Sequence, residues 1–157
     1  MRKGLDAYRA TGAKALVPQW MVVLADLYGK SDQVEQGLAV LADLQPLADS
    51  NEGEHYYMAE MLRLKGQLLI QGVKDQKREA KVYNEGEACF QKAIELSQQQ
   101  NAKSLELRAA ASLSQLWQTR GRKAEAFGLL DNIYKRFEEG FGTPDLVAAK
   151  LLLEQLA

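Results

Sequence analysis

The sequence has few of the side chains that carry chemistry or cross-link a chain. Its 157 residues include one cysteine, Cys89, and one histidine, His55. A single cysteine excludes an internal disulfide framework and is typical of a reducing compartment. A zinc site normally needs three or four protein ligands, and no companion cluster surrounds His55. We therefore expect no cofactor, no metal and, by default, a cytoplasmic location.

Excess charge and long apolar runs are also missing. The 20 basic and 21 acidic residues give a net charge of -1, so no global field attracts nucleic acid or an anionic membrane. No segment has the apolar length of a membrane span, and Met1, Arg2 and Lys3 do not begin a signal peptide. We expect one soluble domain, with no nucleic-acid partner and no membrane partner.

What the sequence does contain is apolar residues at helical spacing. One set lies along one side of a predicted helix, at Cys89, Phe90, Ala93, Ile94 and Leu96. A second set follows the polar run "SQQQNAKS", at Leu105, Ala109, Leu113, Leu116 and Trp117. This pattern predicts two antiparallel helices joined by a short turn. No segment reads as a convincing strand, so the fold class is all-α.

Further helices are predicted on both sides of this pair. They run from about Ala15 to Tyr28, from Val34 past Leu44 with Pro46 bending the last turns, from Tyr56 to Ile70, from Phe127 to Phe137, and from Leu146 to Leu156. Within "GKSDQ", Ser31 or Asp32 is expected to cap the second of these helices. Thr143 is expected to cap the last one, with Pro144 at its first position.

Small residues recur at fixed offsets and indicate three repeated units. The first has Leu24, Ala25 and Tyr28, then Gly37, Leu41 and Leu44. The second has Leu62, Gly66 and Leu69, then Gly86, Phe90 and Ala93, with eight extra residues between its helices. The third has Leu113, Ser114 and Trp117, then Ala126, Leu130 and Ile133. The units resemble the tetratricopeptide repeat, and this resemblance implies that a small residue in each first helix faces a small and a large apolar residue in the second.

This pattern resembles the tetratricopeptide repeat, although the units recur at 41 residues (25 to 66) and 48 residues (66 to 114) rather than about 34. The resemblance implies a degenerate α-solenoid, a right-handed superhelix of antiparallel helix hairpins. The whole chain, 1–157, would be one such domain. Residues 1–13 would end a preceding repeat, 14–50, 53–100 and 103–140 would form three hairpins, and 143–157 would be a C-terminal capping helix.

A narrower resemblance is carried by "AEMLRLKGQLLIQG", "EACFQKAIELSQQQNAKSLELRAAASLSQLWQTRGRKAEA" and "EGFGTPDL". These stretches are similar to the C-terminal helical-repeat region of large bacterial regulators, in which a class III cyclase domain or a DNA-binding domain precedes an ATPase module. The likeness implies a regulatory or scaffolding tail excerpted from a larger protein. The catalytic residues of such a parent would lie outside this sequence.

The resemblance also implies a concave groove lined by the first helices of the hairpins. Its polar contact positions would be Gln19, Asp26, Glu60, Arg63, Gln67, Arg108, Gln115 and Gln118, with Val22 at an apolar one. Arg63 and Arg108 have the paired donors to clamp a carboxylate. The alternative, which the sequence supports equally, is that each arginine only pairs with a nearby glutamate.

Several features imitate functional sites without completing them. "YGKSDQ" has the end of a phosphate-binding loop, but Leu24 stands where the loop needs glycine. Cys89 is interpreted as a packed thiol, and Trp20, Trp117, Tyr28 and Tyr134 as packing residues. A basic cluster within 73–81 is interpreted as a solvated helical extension or a mobile loop rather than a nucleic-acid site; it comprises Lys74, Lys77, Arg78 and Lys81.

Three functions follow, and enzyme catalysis is not among them, because no nucleophile with a base and no phosphate cradle is present. The leading hypothesis is a noncatalytic module that binds a protein or peptide segment, possibly another domain of its parent chain. The second is an effector sensor with a small-molecule pocket lined by Trp20, Tyr56 or Tyr57. The third is homo-oligomerisation through the terminal helices.

Overall fold

A computed structural model describes residues 16–49, 56–73 and 76–157, together with Gly4. These residues contain seven helices and no strand, which confirms the all-α fold class. The helices are α1 (Val17–Lys30), α2 (Val34–Asp49), α3 (Met58–Gln71), α4 (Gln76–Gln99), α5 (Lys103–Thr119), α6 (Lys123–Tyr134) and α7 (Pro144–Leu156). The segment 1–13, assigned above to a preceding repeat, and His55 lie outside the described residues.

Helix lengths repeat as the sequence units do. Both α1 and α3 have 14 residues, and their first and last residues are 41 positions apart. The end of α5, Thr119, lies 48 positions after the end of α3. Helix α4 has 24 residues and α2 has 16, a difference of eight. The extra residues of the second unit therefore lengthen α4 at its start.

Three helix ends differ from the sequence-based expectations. Ser31 donates its hydroxyl hydrogen to the Leu27 carbonyl (2.9 Å), so it stays with the end of α1 and does not cap α2. Thr143 does occupy the N-cap position of α7, but its side chain makes no capping hydrogen bond. Helix α6 ends at Tyr134, and Phe137 follows it as a half-buried residue of the core.

The helices contact one another in a regular order. Each helix packs against the next along the chain, and α1, α3, α5 and α7 also contact each other in succession. Among the residues that the structure describes, α2, α4 and α6 make no contacts with one another. The four odd-numbered helices therefore form one layer, and the even-numbered helices cover its other side.

Small residues set the distance within each hairpin. A Cβ atom added to Gly66 would lie 2.9 Å from the Gly86 carbonyl oxygen and 2.8 Å from Cε1 of Phe90. A Cβ atom on Gly37 would lie 3.2 Å from the carbonyl oxygen of Ala25. In the third hairpin, the Ser114 hydroxyl donates to the Ala126 carbonyl (3.0 Å). The predicted small pairs are thus the places where the paired helices come closest.

The buried apolar residues form two clusters that meet at Leu62. The first joins α1, α2 and α3, and its most buried members are Ala25, Leu44, Met21, Met61, Leu64 and Leu68. The second joins α4 to α7 and includes Phe90, Leu107, Leu113, Leu130, Ala149 and Leu152. Because α3 borders both clusters, the core runs along the stack of helices.

Candidate interaction groove

A groove of about 730 Å³ runs along the layer of odd-numbered helices. Its walls come from α1, α3, α5 and α7, and two residues of α4 reach it from below. Its floor includes the buried apolar residues Phe90, Leu107 and Leu116, and charged and amide side chains also line it. This combination offers both apolar contact area and hydrogen-bonding groups.

Six of the eight polar positions predicted from sequence line this groove. They come from three helices and are Asp26, Glu60, Arg63, Gln67, Arg108 and Gln115. Gln19 and Gln118 are not among the lining residues, and the Gln19 amide donates a hydrogen bond to the Tyr56 hydroxyl. Val22 is buried in the core, and the adjacent Val23 lines the groove instead.

Arg63 is held in place by its own helix. Its guanidinium donates two hydrogen bonds to the Glu60 carboxylate, from Nε (2.9 Å) and from Nη2 (2.7 Å). Nη1 also donates to the Gln67 side-chain oxygen at 2.8 Å. A bidentate pair of this kind fixes both side chains. Of the two roles left open for Arg63, the structure shows the pairing with a nearby glutamate.

Arg108 links α5 to its two neighbours in the layer. Its Nε donates to the Asp145 carboxylate of α7 (2.7 Å), and its Nη1 lies 3.7 Å from Oε1 of Glu60 in α3. Burial lowers the pKa of the Arg108 guanidinium, but the hydrogen bond to Asp145 and the charge of Glu60 outweigh it, so the pKa is raised. Arg108 therefore remains charged and ties three helices of the groove together.

The charges that line the groove are balanced. Besides the pairs of Arg63 with Glu60 and of Arg108 with Asp145, Lys30 pairs with Asp26 (2.6 Å). The lining thus has three carboxylates, of Asp26, Glu60 and Asp145, and three cations, of Lys30, Arg63 and Arg108. A strongly charged ligand would have to displace one of these internal partners, which costs the energy of the existing pair.

One polar cluster was not predicted from the sequence. Trp117 donates its indole hydrogen to Glu87 (2.8 Å), and Arg122 donates to the same carboxylate (2.9 Å) while its guanidinium stacks 4.3 Å above the Trp117 ring. Burial raises the pKa of Glu87, but the bonds from Arg122 and Trp117 outweigh it and lower the pKa. This cluster fastens α4, α5 and α6 together. Glu87 lies 30 positions before Trp117 and 35 before Arg122, so periodicity carries no signal for their contact.

Other singled-out residues behave mostly as packing or surface groups. Cys89 is half-buried beside Gly66, and burial raises the pKa of its thiol. Lys81 extends from α4 within 3.8 Å of the Glu85 carboxylate, while the side chains of Lys74, Lys77 and Arg78 lie outside the described residues. Trp117, Tyr28 and Tyr134 pack against the core as predicted.

Trp20 does not fit its interpretation as a packing residue. Its side chain is 48% exposed, because no described helix covers that side of α1. The face that was expected to be a repeat seam is therefore open.

Neither metal-ligand groups, nor membrane-spanning helices, nor similar proteins assign a function to the chain. In the described part of the chain, no group of three or more histidine, cysteine or acidic side chains is placed to hold a metal ion. No helix there has the length and apolar character needed to cross a membrane. Comparisons with family models, curated proteins and solved structures found no match.

Proposed function

We propose that this chain is a noncatalytic protein-interaction module, built as a tetratricopeptide-like right-handed superhelix of antiparallel hairpins with α7 as its capping helix. The order of helix contacts supports this architecture, since α1, α3, α5 and α7 follow one another in one layer. The matched lengths of α1 and α3 support it as well. In such arrays each unit packs only on its neighbours, and the stacked first helices present an extended concave surface.

The observation that carries the proposal is that six of the eight polar side chains predicted to face one groove do line a common groove. Asp26, Glu60 and Arg108 are 34 and 48 positions apart in sequence (26 to 60, 60 to 108), yet all three line the same 730 Å³ space. Charged pairs along one face of a single helix are common on solvated surfaces. A shared groove built from several helices is a surface of the kind that binds a peptide segment.

The groove favours a protein segment of low net charge. Its ion pairs are already formed, so it needs little rearrangement to accept a ligand. Because the lining charges cancel, apolar contacts with the floor and hydrogen bonds to the polar lining residues would hold the segment. A neighbouring domain of a larger bacterial regulator, or a separate protein, would supply it.

The small-molecule alternative is less well supported. Its predicted pocket needs Trp20, Tyr56 or Tyr57, and none of the three lines the groove. Tyr57 is buried in the core, and Trp20 lies on an open face. Self-association through α7 has one observation in its favour, because Val147 and Leu151 are 43% and 54% exposed. A concentration-dependent mass that is lost in Leu151→Glu would support that alternative.

Photo-crosslinking tests the proposal at the level of single residues. A benzophenone amino acid is placed at Gln115, in the groove, or at Gln91, an exposed position on α4. Both chains are expressed in the source cells and irradiated. We expect a discrete adduct with one protein from position 115 and none from position 91. Equal adducts from both positions, or none from position 115, would contradict groove binding.

A further inference from the structure

One face of α1 carries an exposed apolar stripe. It consists of Trp20, Val23 and Leu27 together with Leu16, which adjoins them from the residue before α1, where its backbone is left-handed. The four side chains are 43–52% exposed. The spacing of three and four residues along α1 is that of a helix seam that packs against another helix. Three of the four side chains lie outside the groove, and Val23 also lines it. Four neighbouring large apolar residues are more than the scattered exposure of an ordinary surface.

The repeat relation shows what the stripe corresponds to. Adding the 41-residue offset between α1 and α3 converts its members into Tyr57, Met61, Leu64 and Leu68. These four side chains are only 2–8% exposed. They are covered because α3 packs against both α1 and α2. In the third unit, two of the four equivalents, Ala109 and Leu116, are buried, and the other two, Leu105 and Ser112, are half-buried.

The contacts of Leu68 show what kind of helix covers such a stripe. Cβ atoms added to Gly29 and Gly37 would lie 2.7 and 2.9 Å from the Leu68 methyl groups. Leu68 therefore inserts where α1 ends and α2 begins, and it fits because both neighbours are glycine. Leu27 is the equivalent of Leu68 on α1, and it is 44% exposed.

We propose that the stripe of Leu16, Trp20, Val23 and Leu27 is a docking surface for an amphipathic helix of the α2 type. Such a helix carries apolar residues along one face and a glycine opposite Leu27. The docked helix would contact α1 in the same way as α2 contacts α3. This inference rests on the repeat architecture of the proposed function, but the surface shares only Val23 with the groove, so a failure of groove binding would leave it standing.

A 41-residue duplication tests the fit in the full chain. A second copy of residues 16–56 is inserted between Ala15 and Leu16, which places an α2 helix before α1 as α2 now precedes α3. Trp20→Phe in the inserted copy leaves the original Trp20 as the reporter, with Trp117 unchanged. We expect helix content to rise, the emission of Trp20 to shift to the blue, and acrylamide quenching of Trp20 to fall several-fold.

A matched insertion carrying Gly29→Leu in the copied α1 is the control, because the nearest neighbours of a side chain at Gly29 are Leu68 and Gln71 of α3, so the leucine blocks the close approach at Leu27 without entering the crossing of α1 and α2. It should leave Trp20 as quenchable as in the original chain. The proposal is overturned if Trp20 stays equally quenchable in the glycine-containing insertion, or if the inserted residues stay unfolded, since a repeat unit folds on a fitting neighbour. It is also overturned if the original chain is a dimer that Trp20→Glu dissociates, because the occupant is then a second copy.

Discussion

The close crossing of α3 and α4 at Gly66 predicts that Gly66→Ala destabilises the protein, which is the opposite of the usual effect of this substitution in a helix. Replacing glycine by alanine inside a helix ordinarily stabilises it by about 1 kcal/mol. At Gly66 the new Cβ would lie 2.9 Å from a backbone oxygen of α4, and also 3.1 Å from the Cβ of Cys89. No side-chain rotation relieves contact with a carbonyl, so the two helices must move apart.

The expected cost follows from these two opposing effects. Forcing a methyl group into a filled interface costs about 1–3 kcal/mol, and the clash with backbone places Gly66 at the upper end. After the gain in helix propensity, we expect Gly66→Ala to lower the free energy of unfolding by about 1–2 kcal/mol. At Gly86 the nearest atoms belong to the Ile70 side chain, which can move. Gly86→Ala should therefore cost less than Gly66→Ala.

Urea denaturation followed by far-UV circular dichroism measures the effect, with Gly128→Ala as the control. Gly128 lies inside α6 with nothing within 4 Å of an added Cβ. This variant should be more stable than the original chain by about 0.5–1 kcal/mol. If Gly66→Ala stabilises the protein as much as Gly128→Ala does, this result would contradict a close contact between α3 and α4 at Gly66.

Three further predictions concern buried polar groups. The pKa of Glu87 is lower in the folded chain than its ordinary 4.5. Its pairing therefore stabilises the folded chain above pH 4.5, and this stability is lost as the pH falls through the folded-state pKa. Glu87→Gln should flatten the fall in melting temperature below about pH 5, and an unchanged profile would refute this. Glu106 is 3% exposed, is paired with the half-exposed Arg136 and also accepts a hydrogen bond from the Gln98 amide (2.8 Å). Arg136→Ala should cost about 1–3 kcal/mol in urea denaturation, and a neutral effect would contradict this by showing that the Gln98 bond suffices. Burial raises the pKa of Cys89, so a thiol reagent at neutral pH should react far more slowly than with the urea-unfolded chain; equal rates would contradict its packing.

Helix positions and the small pairs between helices were predictable because they depend on local spacing. The residues Ala25, Gly37, Gly66 and Gly86 were identified from repeated offsets and paired by the resemblance to the tetratricopeptide repeat, and the structure places each pair at a helix contact. Apolar periodicity marks the buried face of a helix, and a small residue within that face marks close approach. Both signals are present within a few turns of sequence.

The groove lining was predictable in part, because equivalent positions in repeated units face the same side. The error at Val22 shows the limit of this reasoning: adjacent residues point about 100° apart on a helix, and α1 turns Val23, not Val22, toward the groove. The orientation of α1 about its own axis is set by packing on α3, which no local pattern records. The pairing of Arg108 with Asp145 depends likewise on where α7 lies relative to α5.

The cluster of Glu87, Trp117 and Arg122 was not predictable for another reason. Each residue reads alone as a surface charge or a packing aromatic, and only the contact of three helices brings them together. Trp20 was predicted to pack, but it is exposed. Its spacing is that of a packed helix face, and spacing alone does not show whether another helix covers that face.

The central claim is that the groove is the binding surface of this module, and a pair of alanine-to-arginine variants tests it most directly. Ala148 lines the groove on α7, and Ala124 lies on α6 outside it; both are exposed helix residues, so neither change should disturb folding. The measurement is the dissociation constant for the protein crosslinked from position 115. We predict a loss of at least about tenfold, or 1.4 kcal/mol, for Ala148→Arg and no change for Ala124→Arg. Equal affinity in both variants would contradict the account.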